Sequence, residues 1–335
     1  MTRASFHRAA SLAAMAACIA AAAHAATYTT FDPAGSVFTR PTSINDAGVI
    51  TGFYGKSLFV FRGFVRTADG TITAFEAGRG GSTAPVGIDG QGRIYGSFTN
   101  RHLSATFGFV RQADGTINRF RPEHSKSTRV TAMDAAAGAT GSFRNNQGDI
   151  GFLLSLDGQL TKFSAPGSIR TYPMAINSNG VISGGYVDGD GHEHGFLRAP
   201  DGQFTSFDPP HSQLWSTALT INLDGASAGN YKDRRNDVRG FVRDADGTMA
   251  TFHVPHSTET TPLAINADGI ATGYYWTAAR TVQHGFLRNA DGTLENIDDP
   301  DAESDTFPVG INSAGTIIGN FTDADGLTHG FIRTP

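Results

Sequence analysis

Two tryptophans and a few histidines are the side chains of this chain best suited to hold or transform a ligand. Trp215 and Trp276, with Tyr172, offer flat apolar faces with a polar edge, which suit sugar rings or peptide side chains. His124, His211 and His256 recur in a Pro-x-His-Ser or Pro-His-Ser phrase. An imidazole titrating near neutral pH suits acid–base work or metal ligation. Asp188-Gly-Asp190-Gly and Asp323-Ala-Asp325-Gly have the opening of a calcium loop, each without the later carboxylate that completes a twelve-residue site. Each feature also has a plainer explanation: rings that cover strand ends, residues repeated with their unit, ordinary turns. No paired carboxylates, Ser/His/Asp order, nucleophile elbow or zinc-type spacing stands out. The sequence therefore nominates no catalytic residue, no metal beyond the weak calcium candidates, and no cofactor.

The elements that must position these residues are repeats. A Gly-Phe pair occurs at Gly63, Gly108, Gly151, Gly195, Gly240, Gly285 and Gly330, with steps of 45, 43, 44, 45, 45 and 45 residues. A fixed period of that size marks an array of one supersecondary unit. An Asx residue recurs at Asn45, Asp89, Asp134, Asn177, Asn222, Asn266 and Asn312, followed closely by glycine, which is hairpin chemistry. Asp-Gly at 69, 114, 157, 201, 246 and 291 marks a second tight hairpin. Four short strands per unit and no helical pattern predict an all-β fold. The period and the turns together predict a seven-bladed β-propeller of four-stranded blades, with repeats beginning near 41, 85, 130, 173, 218, 262 and 308. The chain ends without an outer strand for the last unit, whereas Thr27-Tyr-Thr-Thr-Phe-Asp-Pro33 matches the outer-strand phrase Thr205-Ser-Phe-Asp-Pro209. Residues 27–33 are therefore expected to complete the last blade and close the ring.

This architecture assigns most of the aromatic residues to packing between blades. Arg66, Arg111, Arg198, Arg243, Arg288 and Arg333 recur two residues after the Gly-Phe phenylalanine, in every unit but the third. Their expected role is to pair with turn carbonyls or with an acid of the adjoining blade. His194, His284 and His329 precede Gly-Phe, a slot filled by Arg62 and Arg239 elsewhere, and so belong to the repeat. The first strand of each unit should line the channel with small residues (Ser43, Gly87, Ala132, Ala175, Thr220, Ala264, Gly310) and no charged ring, which argues against catalysis. Variable loops on one rim, carrying Trp215, Trp276 and Tyr172, are left as the place for binding.

The first 25 residues are set apart. Arg3, His7 and Arg8 precede an apolar run to Ala23, and Ala23-His24-Ala25 supplies small residues before a cut ahead of Ala26. This is the pattern of a secretory signal, too short to be a membrane span. The single cysteine, Cys18, lies inside it, so the propeller at 26–335 has no thiol; a lipid-bearing Cys18 is the alternative. Net charge is −5, and losing Arg3 and Arg8 makes the mature chain more acidic. Such a balance speaks against nucleic acid as the main partner.

The phrase Gly310-Ile-Asn-Ser-Ala-Gly-Thr-Ile-Ile-Gly-Asn-Phe321, with Thr328-His-Gly-Phe-Ile332 and the earlier Phe207-Asp-Pro-Pro210, resembles the bacterial extracellular HAF-repeat family. The resemblance spans residues 27–335, with Gly195, Gly285 and Gly330 standing where the family name has alanine. It implies a secreted repeat propeller and brings no catalytic residue with it. The expectation is an exported, monomeric, non-catalytic binding protein for a glycan or a protein. The alternatives are a secreted lyase or hydrolase using His124, His211 or His256, and a structural envelope component.

Overall fold

In the computed structural model, residues 26–100, 105–146 and 148–335 are described; the expected signal segment and Cys18 lie outside them. The fold is all-β, with no helix among the described residues. Short antiparallel strands stack as meanders: 38–75, 83–120, 127–163, 170–207, 216–252, 257–296 and 306–334. They form three four-stranded and two eight-stranded sheets. Each larger sheet is two antiparallel runs joined by one parallel pair, Phe38 with Thr328 or Val238 with Glu259. No sheet closes on itself. Strand Thr27–Phe31 lies antiparallel to Thr328–Thr334, with Thr27 opposite Thr334 and Phe31 opposite Gly330.

The repeated Gly-Phe phrase has a steric cause. Gly63 lies directly opposite Phe75 on the next strand, whose ring occupies the place of a side chain: a Cβ on Gly63 would meet it at 2.6 Å. The following residue, Phe64, turns to the other face and is fully buried, as are Phe109, Phe152, Phe196, Phe241, Phe286 and Phe331. Each such ring contributes about 1.5–3 kcal/mol by leaving water. Rings of adjoining runs meet edge to face, as in Phe31–Phe64 at 6.0 Å and Phe207–Phe241 at 6.0 Å.

The recurring arginines sit in the same seams. The guanidiniums of Arg66, Arg111, Arg198, Arg243 and Arg288 lie 4.7–5.2 Å over Phe31, Phe75, Phe163, Phe207 and Phe252 of the preceding run. Each also donates to the carbonyl one residue on, at 3.2–3.4 Å. The expected carbonyl contact is present, whereas the second partner is an aromatic face rather than an acid.

The Asx residues do more than shape hairpins. Asn222 Oδ1 accepts from Ala226 N at 2.9 Å, closing its own turn. Its Nδ2 donates to Asn266 O at 3.1 Å, on the next run. Asn45 reaches Asp89 O (2.8 Å), Asn177 reaches Asn222 O (2.9 Å), Asn266 reaches Asn312 O (3.5 Å) and Asn312 reaches Asn45 O (3.4 Å). Aspartate cannot donate, and other groups take over where it occurs. Arg93 pairs with Asp89 Oδ2 at 2.6 Å and donates to Ala135 O at 2.8 Å, while Asp134 Oδ2 accepts from Ser178 Oγ at 2.7 Å. The Asx residues themselves line a cavity of about 570 Å³ at one end of the first strands. Its wall holds Asp46, Asp89 and Asp134, which come from the Asx turns of the first three runs.

Candidate functional site

The proposed binding residues do not all converge. Trp276 lies on strand Ala271–Thr277, opposite Glu259 and Gln283. Tyr172 is half-buried in a seam, its hydroxyl 3.3 Å from Asp149 Oδ2. Asp149 is already held by the guanidinium fork of Arg144 at 2.8 Å through both nitrogens, which keeps its carboxyl below the usual range. Burial pushes the Tyr172 hydroxyl up. Tyr172 therefore works as a packing residue.

His124, His211 and His256 share one backbone role in separate crossovers. Each is the third residue of a tight turn closed by a following serine: Ser125 N to Pro122 O (3.1 Å), Ser212 N to Pro209 O (3.0 Å) and Ser257 N to Val254 O (3.1 Å). Their φ values are 61°, 69° and 65°, the left-handed region. The matching turns at 33–36 and 165–168 place Gly35 and Gly167 there. All three imidazoles are exposed, and only His211 reaches a recess with other candidate residues.

That recess, about 350 Å³, is built from the 188–194 hairpin, the 208–215 crossover and Arg234 of the next hairpin. His192, Glu193, His194, Asp208, His211 and Trp215 line it. Trp215 is fixed by its backbone, which forms an isolated parallel bridge with Glu193, while Glu193 N donates to Leu214 O at 3.0 Å. Glu193 Oε1 accepts from Thr217 Oγ1 at 2.6 Å.

His194 anchors the floor. Its Nδ1 lies 2.8 Å from Asp208 Oδ2 and its Nε2 3.2 Å from Asp188 Oδ2, and the ring packs on Tyr186. Burial disfavours its charge, but the two carboxylates outweigh burial and raise its pKa. Asp188 is held low by the N–H of His192 and by His194, and its Oδ1 also accepts from Asp190 N at 2.9 Å. Asp208 Oδ1 accepts from Ser216 Oγ at 2.7 Å.

The same device recurs where no such recess is described. His329 bridges Asp32 (2.6 Å) and Asp323 (2.9 Å), and His284 holds Asp298 at 2.8 Å. Arg239 pairs with Asp233 and Asp237 at 2.9 Å, and Arg62 with Glu76 at 2.7 Å. The cation before Gly-Phe thus pairs with an acid just past the outer strand, as in His284 and Arg62, with turn acids, as in Arg239, or with one of each, as in His194 and His329. Asp188 and Asp323, the calcium candidates, spend their carboxylates on these pairings and on backbone N–H groups; Asp190 and Asp325 follow in the same turns. Asp208, Glu193 and His192 were not singled out in the sequence. The Phe-Asp-Pro phrase that carries Asp208 was the available signal.

No protein-family model matches the chain, and neither does any curated protein sequence. Solved structures do share its fold. Virginiamycin B lyase from Staphylococcus aureus is 15% identical, matched over 93% of this chain and 100% of that one with a TM-score of 0.60. Its catalytically inactive variant with quinupristin is 14% identical over 93% and 100%, with a TM-score of 0.61. One of two prolyl endopeptidases is 10% identical over 86% of this chain but 47% of its own, with a TM-score of 0.65. These are β-propeller enzymes. At such identities the likeness shows the fold alone. The fold is propeller-like and all-β.

Proposed function

We propose that this chain is an exported, non-catalytic binding propeller of the HAF-repeat type, with seven four-stranded blades and a ring closed by residues 27–33. The seven antiparallel runs, the Asx chain that returns from Asn312 to Asn45 and the pairing of 27–31 with 328–334 support that layout. Its ligand is a glycan or related polymer taken at the Trp215 recess. The carrying observation is the juxtaposition in one recess of an aromatic face, Trp215, with the polar groups of His211, His192 and Arg234. Such a mixture suits a sugar ring, whose apolar face stacks while its hydroxyls find partners. His194, the most ordered imidazole there, has both nitrogens engaged by carboxylates and acts as scaffold.

Binding to a glycan array, followed by titration of any hit, tests this. Trp215→Ala is expected to weaken binding about tenfold or more while leaving the unfolding midpoint in place, a loss of about 1.4 kcal/mol or more. Unchanged affinity in that variant sinks the assignment. Export is tested by N-terminal mass spectrometry of the secreted protein, expected to begin at Ala26.

A second reading is an enzyme, favoured by His192, Glu193 and His211 opening on one recess and by the fold shared with lyases and peptidases. Turnover on a substrate panel that disappears in His211→Ala would establish it. Turnover equally lost in His124→Ala or His256→Ala, which lie in other crossovers, would point away from this recess.

A further inference from the structure

One seam lacks its arginine. In the third run the residue two after the Gly-Phe phenylalanine is Leu154, so no guanidinium from that slot covers Phe120 of the preceding run. The other half of the arrangement is intact: Phe120 meets Phe152 edge to face at 5.9 Å, as its counterparts do. What remains beside Phe120 is a cavity of about 260 Å³. Tyr95, Val110, Leu154 and Leu156 supply its apolar wall. Tyr95 is 4% exposed and stands where other runs carry Thr51, Thr140, Ser183 or Thr272.

The charge of this seam has moved rather than vanished. Arg93 and Arg119 both line the cavity, and no carboxylate does. Arg93 is neutralised by Asp89 at 2.6 Å. Arg119 is held by its Nε against Ala77 O at 2.5 Å and lies 5.6 Å from the centre of the Phe98 ring. Its remaining N–H groups bring one positive charge, without a paired acid, to a cavity with aromatic walls.

We propose that this cavity is a binding site for a small aromatic carboxylate, its ring against Phe120 and Tyr95 and its anion against Arg119. It is separate from the Trp215 recess. The volume admits a single substituted ring, and an aromatic pair favours offset or edge contact with another ring. A carboxylate on guanidinium forms one of the stronger hydrogen-bonded pairs available, and a partly enclosed site strengthens it.

The test is calorimetric titration of the purified protein with benzoate and phenylacetate, with benzyl alcohol and benzamidine as neutral and cationic comparators. Saturable binding with benzoate or phenylacetate ahead of both comparators is expected. Leu154→Arg, which restores the missing side chain, should abolish it. Arg119→Gln, on the exposed outer strand, should weaken the carboxylates about tenfold while leaving benzyl alcohol unchanged. Should Leu154→Arg fold poorly, the Arg119→Gln comparison decides alone. Absence of saturable binding, preference for benzamidine, or equal carboxylate affinity in Arg119→Gln would each overturn the proposal.

Discussion

At the scale of single residues, this protein is governed by slots that each repeat fills in turn, and departures from a slot carry the information. Asp299 is such a departure. Its position holds Pro33, Ala77, Ala165, Pro209 or Val254 in other crossovers, yet it is 3% exposed with Oδ2 unpartnered. Burial raises its pKa, so folding favours the protonated acid. The associated stability is complete below about pH 4, the open-chain value, and is lost as pH rises through the raised value. Asp299→Ala is therefore expected to be more stable than the parent by about 1–2 kcal/mol at pH 7. The gain should shrink toward zero below pH 4, and urea unfolding at pH 7 and pH 3.5 would show it. Nothing in Asp298-Asp299-Pro300 announced this, because acids beside proline read as a solvated turn, whereas Asp299 is tied inward by its N–H to Thr306 Oγ1 at 3.1 Å. The arginine series was visible as a repeat, but its partner rings lie on a neighbouring run, where spacing along the chain gives no signal.

At the scale of elements, hairpin chemistry was legible because it is local. An Asx side chain bonding four residues on, then glycine at positive φ, needs only adjacent sequence, and Gly48, Gly92, Gly180 and Gly315 take φ of 73–76° as that chemistry requires. The donor half of each asparagine was not legible, since Nδ2 spends itself on the next run. This yields a paired expectation. Asn222→Asp keeps the bond to Ala226 N but loses the donor to Asn266 O and buries an unpaired charge, costing about 2–3 kcal/mol. The protein already contains the remedy in Asp89 with Arg93 four residues on. Ala226→Arg, at the same offset, should recover part of the loss in the double variant while failing to stabilise the parent. Chemical denaturation of the four proteins in a mutant cycle measures this, and strictly additive effects would remove the donor argument.

At the scale of the whole molecule, the decisive question is how the two ends of the chain hold together. The match of Thr27–Pro33 to an outer-strand phrase was legible, and the structure pairs 27–31 with 328–334. What the match did not show is how many contacts gather at this junction. Phe31 meets Phe64, Arg66 covers Phe31 at 5.1 Å, and His329 reaches Asp32 just beyond the N-terminal strand. Beyond the strand ladder these are side-chain contacts, which tie residues 27–33 to both the last run and the first. His329 makes the junction pH-sensitive. Burial opposes its charge, but Asp32 and Asp323 prevail and raise its pKa. Its stabilisation is thus complete below about pH 6.5 and is lost as pH rises through the raised value. Asp323, held low chiefly by His329, is lost in the opposite direction, as pH falls below the carboxylate range. The N-terminal strand should consequently be best protected between those limits and loosen in alkali before the remaining strands do. Amide-exchange protection factors for 27–31, compared at pH 5.5 and 8.5, are expected to fall at the higher pH in the parent. In His329→Gln they should be lower throughout and nearly equal at the two values. Protection that is equally high at both pH values in the parent would mean that the strand ladder and Phe31 hold the junction without the imidazole. Removing residues 26–33 would then separate the two contributions, because it exposes the edge of 328–334 whichever side chain secures it.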